Sequence, residues 1–131
     1  MKVRNRLAAT ACFAALVAAT ASIAQAPGIK RTLLQRADIG NNMEVILGVA
    51  EIAPGGATGK HTHFGIETGY ILAGTGTLEI EGEAPRTLNP GDSYTIPAGK
   101  VHDAKATGEA ASKVLAVYVV EKGKALATPA P

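Results

Sequence analysis

Residues 55–74 read GGATGKHTHFGIETGYILAG and contain two of the chain's three histidines, His61 and His63, followed by Glu67. In an extended strand, the side chains of residues i and i+2 project from the same face. His61 and His63 therefore point the same way, about 6–7 Å apart along the strand, and Glu67 follows at even spacing. This pattern predicts a site at which two imidazoles and a carboxylate converge on one metal ion.

The third histidine lies in residues 91–106, which read GDSYTIPAGKVHDAKA. His102 follows a turn that contains proline and glycine, and it can join the site only if its hairpin lies beside the first one. Three neutral imidazole nitrogens and one carboxylate suit borderline divalent ions such as Fe, Mn, Co, Ni, Cu or Zn better than Ca or Mg. The alternative is a packing or surface role, because paired histidines also occur on solvent-exposed faces.

The rest of the chain alternates short apolar runs with breaks that contain Gly or Pro. Runs of this length, rich in β-branched residues, predict an all-β sandwich or barrel. No stretch longer than a turn or two has helical periodicity, which disfavours a parallel α/β fold. Leu78 and Ile80 alternate with polar residues, so their strand is expected to have one buried face. The tail, residues 124–131 (KALATPAP), is expected to lie on the surface or to be disordered.

Two predicted strands are apolar on both faces. They are residues 43–52 (MEVILGVAEI) and 114–120 (VLAVYVV). Such strands need a cover on each side, and in a domain without helices a second subunit is the expected cover. We therefore predict a homodimer, with a two-sheet sandwich that covers itself as the alternative.

Together, the two histidine-containing segments resemble the signature motifs of the cupin superfamily. Residues 55–74 match G-x5-H-x-H-x3-E-x6-G, and residues 91–106 match G-x5-P-x-G-x2-H, in the order in which they occur in the family. One position departs from the pattern, because Ala106 stands where the second motif usually closes with Asn. That position is not a metal ligand in the family, so the departure is expected to change a local turn contact and to leave the metal site intact.

The resemblance implies a single-domain double-stranded β-helix, or jelly-roll barrel, over residues 25–131. It also implies a metal held inside the barrel by three histidines and one glutamate. By position these are His61, His63, Glu67 and His102. The fixed glycines of the motifs are expected at turns that need a positive φ or a close backbone approach.

The first 24 residues are predicted to be a secretory signal peptide. They combine a basic start with a long uncharged stretch of mostly small and apolar residues, and a small-residue cleavage site precedes Gln25. The alternative is an uncleaved anchor, but the apolar part is short for a span of about 20 residues and is diluted by Ala and Thr. Removing residues 1–24 removes the only cysteine and three of the 13 basic residues, leaving 10 basic against 11 acidic and a formal net charge of −1. We expect a periplasmic or secreted protein that binds neither nucleic acid nor membrane after cleavage.

These features predict an exported metalloenzyme that acts on a small organic molecule. Oxygenase-like chemistry is the commonest analogy for this kind of domain, and isomerases and decarboxylases also occur on the scaffold. One alternative is a non-catalytic cupin that binds a metal or a small molecule, and another is a structural domain that the metal stabilises. The enzyme and both alternatives need the same metal ligands, so the ligands do not distinguish them. Tyr70, three residues after Glu67, is a candidate for a hydrogen bond to the substrate.

Overall fold

The computed structural model describes residues 28–131, and all regular elements in this range are β-strands. The strands are β1 (Ile29–Gly40), β2 (Met43–Ile52), β3 (His61–Thr62), β4 (Gly65–Ala73), β5 (Gly76–Ile80), β6 (Arg86–Leu88), β7 (Ser93–Ile96), β8 (His102–Ala106), β9 (Ser112–Glu121) and β10 (Thr128–Pro129). The described residues accordingly contain no helix long and apolar enough to span a membrane. The predicted signal peptide lies outside them.

The strands form two antiparallel five-stranded sheets. The first has the order β1-β2-β9-β4-β7 and the second the order β10-β3-β8-β5-β6. Period-two alternation places one face of each sheet inside, and residues from both sheets form one hydrophobic core. Leu78 of β5 and Ile96 of β7 are only 1% exposed at its centre. The predicted all-β, jelly-roll architecture is confirmed.

Tight turns at glycine join the strands of the two histidine motifs. Gly74 ends β4 with a φ of 72°, and a Cβ there would lie 2.3 Å from the carbonyl oxygen of Ala111. Only glycine combines this φ with so close an approach of backbone. The other fixed motif glycines also have positive φ values, and these are Gly55, Gly91 and Gly99. The predicted role of these glycines is confirmed.

The C-terminal tail lies along the edge of the second sheet, so of the two expected arrangements the structure has the surface-lying tail and not the disordered one. Thr128 and Pro129 form an edge strand that pairs with Thr62 and His61. Leu126 is buried and belongs to the core. The tail covers the otherwise open edge of β3, and an unpaired edge is unfavourable. A two-residue strand leaves no periodicity in the sequence, so the pattern could not indicate it.

Ala106, the residue that departs from the cupin pattern, ends β8 in a small buried cluster with Ile29 and Ile52. Its amide donates to the Gly56 carbonyl oxygen at 3.0 Å, and its own carbonyl accepts from the Gly55 amide at 3.2 Å. Backbone hydrogen bonds thus make the link between the two motifs, and the position needs no polar side chain.

Candidate metal centre

All three histidines and Glu67 meet at one place inside the barrel. His61 opens β3 and His102 opens β8, and the antiparallel register sets these two residues directly opposite each other. His63 follows β3, and Glu67 projects inward from β4 in the other sheet. All four side chains are buried, and their candidate ligand atoms lie within 4.8 Å of one another. The hairpin that carries His102 therefore lies beside the first one, as the hypothesis required.

Backbone carbonyls fix the tautomer of each imidazole. The Nδ1 atoms pair with the carbonyl oxygens as follows: His61 with Gly59 at 2.7 Å, His102 with Lys100 at 2.9 Å, and His63 with Leu126. A carbonyl oxygen can only accept a hydrogen bond, so each Nδ1 must carry the proton. Each Nε2 is left with a lone pair, which is the form that binds a metal.

Two of the Nε2 atoms lie close to the Glu67 carboxylate. Nε2 of His63 lies 2.7 Å from Oε2 of Glu67, and Nε2 of His102 lies 3.5 Å from the same oxygen. Both nitrogens are buried and lack a hydrogen-bond partner within residues 28–131. Burying such acceptors together is costly unless a cation lies between them. Ligands of one transition metal at about 2.1 Å lie up to roughly 4.2 Å apart, so the donor atoms, all within 4.8 Å of one another, are only slightly more spread than such an ion needs.

The charges of the cluster suit a divalent metal. Burial lowers the pKa of His61 to about 4, so its imidazole is neutral at neutral pH. Burial acts to raise the pKa of the Glu67 carboxyl, but the nearby His102 and His63 side chains and the Tyr94 hydroxyl outweigh it and hold that pKa well below its usual range. The cluster therefore presents a neutral imidazole at His61 and a negative charge at Glu67.

Two tyrosines that the sequence reasoning did not assign to the site support Glu67. The Tyr94 hydroxyl donates to Oε1 of Glu67 at 2.7 Å, leaving Oε2 to face the histidines. Tyr118 lies directly opposite Glu67 on the neighbouring β9, with its ring 5.1 Å from that of His63. Burial raises the pKa of both tyrosine hydroxyls, so both stay protonated and able to donate. The alternation of buried and exposed residues is the sequence feature that could have placed Tyr94 inside the barrel, since Tyr94 and Ile96 share the inward face of β7.

Tyr70 is not brought to the cluster. It stands at odd spacing from Glu67 on β4, so its side chain projects from the outer face and is 48% exposed. Phe64, next to the histidine pair, is also exposed, with the Lys124 ammonium 5.2 Å from its ring centroid. Neither Tyr70 nor Phe64 therefore lies where it could contact a small molecule bound at the metal cluster.

A small pocket opens beside the cluster and includes His61, His102 and Glu67 in its wall. Its cavity volume is about 30 Å³, and most of its remaining wall is apolar. Arg31, which the sequence reasoning did not single out, also lines it. A cavity of this size has room for one or two water-sized groups beside the cluster.

Fold and cluster together define a metal-binding cupin. The Cupin_2 family model, described as "Cupin domain", matches residues 48–118, which include both histidine motifs up to β9. The chain belongs to this family.

Among curated proteins, the chain is similar to a 5-nitrosalicylic acid 1,2-dioxygenase from a Bradyrhizobium species. The two are 35% identical over 82 residues, which make up 63% of this chain but only 38% of the relative. The chain thus spans little more than a third of the length of the curated relative it matches.

Solved structures show the same barrel. A cupin-2 domain protein from Rhodospirillum rubrum superposes with a TM-score of 0.64 at 26% identity, over 79% of this chain and 66% of that one. A cupin superfamily protein from Desulfitobacterium hafniense has a TM-score of 0.58 at 20% identity, over 75% and 83%. The DMSP lyase DddQ from Ruegeria pomeroyi has a TM-score of 0.65 at 23% identity, over 77% and 51%. The sequence identities of the last two proteins are low, so these two structures support the shared fold alone.

Proposed function

We propose that this chain is a metal-dependent cupin enzyme that acts on a small organic molecule, with oxygenase-type chemistry as its reaction class. One observation carries the proposal: two buried Nε2 atoms without a hydrogen-bond partner among the described residues, on His63 and His102, face the Glu67 carboxylate. The pocket beside them supports catalysis or small-molecule binding over a purely structural metal, because a staple needs no adjoining cavity.

His61, His63, His102 and Glu67 would hold the ion, which is Fe, Mn, Ni, Cu or Zn by the chemistry of this donor set. The metal would supply a Lewis-acid or oxygen-activating centre. The protein's own part is orientation: backbone carbonyls fix the imidazoles, and the Tyr94 hydroxyl fixes the Glu67 carboxylate. The Tyr118 hydroxyl, whose pKa is raised by burial, stays protonated in the pocket wall and can donate a hydrogen bond to a ligand there.

The named curated relative points to a substrate class. Its name specifies 5-nitrosalicylic acid, which is an aromatic ring that carries a carboxylic acid and a hydroxyl group. Because this chain covers 38% of that protein, the likeness supports hydroxylated aromatic acids as a class and no particular member of it. Neighbouring carboxylate and hydroxyl oxygens are well placed to chelate one metal ion.

Oxygen uptake tests the proposed reaction. The purified protein is loaded with Fe(II), its metal content is measured, and oxygen consumption is recorded with salicylate and its ring-hydroxylated derivatives. We expect about one ion per chain and uptake that depends on one of these acids. The matched control is Glu67→Gln, which preserves size but removes the negative ligand and should abolish uptake. Bound metal without uptake for any acid would contradict the oxygenase class and favour a non-catalytic binding cupin.

The homodimer remains a proposal, supported by the outer face of the first sheet. Ile66, Tyr70 and Leu72 project outward from β4 and are 43–48% exposed in the single chain. A contiguous apolar sheet face of this kind is typical of an interface. Light scattering should give the mass of two chains for the natural sequence and of one chain for Ile66→Glu/Leu72→Glu. A monomeric natural protein would contradict the proposal.

Export also remains a proposal, because residues 1–24 lie outside the described part of the chain. It is supported by the basic start and the uncharged stretch that follows. N-terminal sequencing of the protein recovered from its own cells checks it, and an intact Met1 on protein found in the cytoplasm would contradict it.

A further inference from the structure

The three imidazoles of the cluster differ in which part of the chain holds them. The Nδ1 atoms of His61 and His102 each donate to a carbonyl oxygen only two residues earlier, so their own loops fix these two rings. The Nδ1 atom of His63 instead donates to the carbonyl oxygen of Leu126, which is 63 residues away along the chain. The orientation of His63 therefore depends on a distant segment, the tail (residues 124–131).

The backbone of the tail is suited to pairing with β3. The Ala130 amide donates to the Lys60 carbonyl oxygen at 3.0 Å, and two residues earlier Thr128 pairs with Thr62. Hydrogen-bonded pairs alternate along an antiparallel ladder, so the Thr128 amide also faces β3, whereas the backbone nitrogen of Pro129 faces away from it. Proline has no N–H group to donate and fits such an outward position on an edge strand. The sequence of the tail thus agrees with its position along β3.

Leu126 fixes the tail in the barrel. Its side chain is buried, belongs to the hydrophobic core and lines a small cavity together with Tyr118. Burial of this side chain fixes the backbone of the same residue, and with it the carbonyl oxygen that accepts from His63. The packing of Leu126 is therefore coupled to the orientation of the His63 ring.

A displaced tail would act on one metal ligand. Without an acceptor for its Nδ1 proton, the His63 imidazole loses the contact that fixes its direction and its tautomer. Its Nε2 atom, which lies 2.7 Å from Oε2 of Glu67, would no longer be held toward the cluster. His61 and His102 would keep their own carbonyl partners, so the effect falls on His63.

We infer that the tail is a positioning element of the metal centre, in which Leu126, packed in the core, holds His63 in the orientation that binds the ion. This inference rests on the proposed function, because it requires the cluster to bind a metal. It adds to the four ligands a segment that lies outside both histidine motifs and outside residues 48–118, which the family model matches.

Zinc affinity separates positioning from stability when two leucines of the same core are compared. Leu126→Ala and Leu88→Ala remove the same group from buried positions, so each should lower the unfolding temperature. Leu126→Ala should in addition weaken zinc binding by the folded protein about 10- to 100-fold, the usual effect of losing a partner that orients a metal ligand. Leu88 lies on β6, at the opposite edge of the second sheet from the tail, and Leu88→Ala should change the zinc affinity by less than about threefold. Leu126→Met, which nearly conserves the volume, should restore the affinity.

A second pair of variants changes the backbone of the tail and leaves the core side chains intact. Thr128→Pro removes the amide that faces β3, whereas Thr128→Ala keeps it. Thr128→Pro should weaken zinc binding, and Thr128→Ala should leave it unchanged. The visible absorption of bound Co(II) depends on the ligands around the ion and gives an independent readout. It should change in Leu126→Ala and Thr128→Pro but not in Leu88→Ala.

Affinities are measured by competition with a chelator at a temperature at which each variant is folded. No zinc in the natural protein would overturn the proposed function and this inference with it. Zinc bound by the natural protein, but no more weakly by Leu126→Ala than by Leu88→Ala, would overturn this inference alone. So would equal zinc affinities of Thr128→Pro and Thr128→Ala, and this second comparison decides the matter if Leu126→Ala does not fold.

Discussion

The double variant His61→Ala/His102→Ala is expected to bind no divalent transition metal, whereas the natural protein holds about one ion per chain. The two residues face each other across β3 and β8, and their ring centroids are 4.2 Å apart, so both lie on one side of the cluster. Their removal leaves His63 and Glu67, and two ligands do not close a coordination sphere. Elemental analysis after incubation with Zn(II) or Fe(II) and removal of the excess measures the loss.

Stability gives a second readout of the same prediction. A ligand that binds the folded state alone stabilises it by about 2.7 kcal/mol when its concentration is 100 times the dissociation constant. Adding Zn(II) should therefore raise the unfolding temperature of the natural protein and leave that of the double variant unchanged. Thr62→Ala is the control, because Thr62 lies between the two histidines of the first motif and projects from the opposite face. Full metal occupancy in the double variant would contradict the assignment of the cluster.

The sequence was sufficient to predict most of the cluster because the relevant signals are local. Period-two spacing puts His61 and His63 on one face, and the turn through Gly99 delivers His102 to the start of β8. The turn also binds back to the first motif, since the Gly99 amide donates to the His63 carbonyl oxygen at 3.0 Å. Alternation likewise identified the buried face of β5, where Leu78 and Ile80 are 1% and 5% exposed.

The residues around the cluster could not be predicted, because their positions depend on how distant strands pair. Tyr118 contacts the cluster only because β9 pairs with β4 in the register that sets it opposite Glu67. Leu126 reaches His63 through the tail, which has no periodic pattern. Arg31 belongs to a strand in which most side chains are exposed, and only its inward direction distinguishes it from Lys30. No local feature of the sequence indicates how these distant segments pair.

The position of Tyr94 shows how closely the supporting residues are specified. Tyr94 pairs with Gly69, which lies two residues after Glu67 on the same inward face of β4. A Cβ at residue 69 would lie 2.3 Å from Cζ and 2.6 Å from the hydroxyl oxygen of Tyr94. The glycine therefore leaves the space in which the ring crosses the strand, and this crossing brings the hydroxyl to Glu67. The hydrogen bond therefore depends on glycine at residue 69 as well as on the Tyr94 hydroxyl.

Tyr94→Phe is consequently expected to weaken metal binding about 10- to 100-fold, the usual effect of losing a group that orients a metal ligand. The substitution keeps the ring in place and removes only the donor to Oε1 of Glu67. The carboxylate oxygen then stays buried without this partner, so the metal-free protein should also lose about 1–3 kcal/mol of unfolding free energy. Competition with a chelator of known affinity measures the first effect, and denaturant unfolding without metal measures the second.

Tyr70→Phe is the matched control, because it deletes the same hydroxyl from the exposed outer face of β4. It should change neither metal affinity nor stability. If instead Tyr70→Phe weakened metal or ligand binding while Tyr94→Phe did not, then Glu67 would be oriented by some other group. Tyr70, the tyrosine suggested by sequence spacing, would in that case be the functional one. The opposite result would show that the inward alternation of β7, which carries Tyr94 to Glu67, determines which tyrosine serves the site.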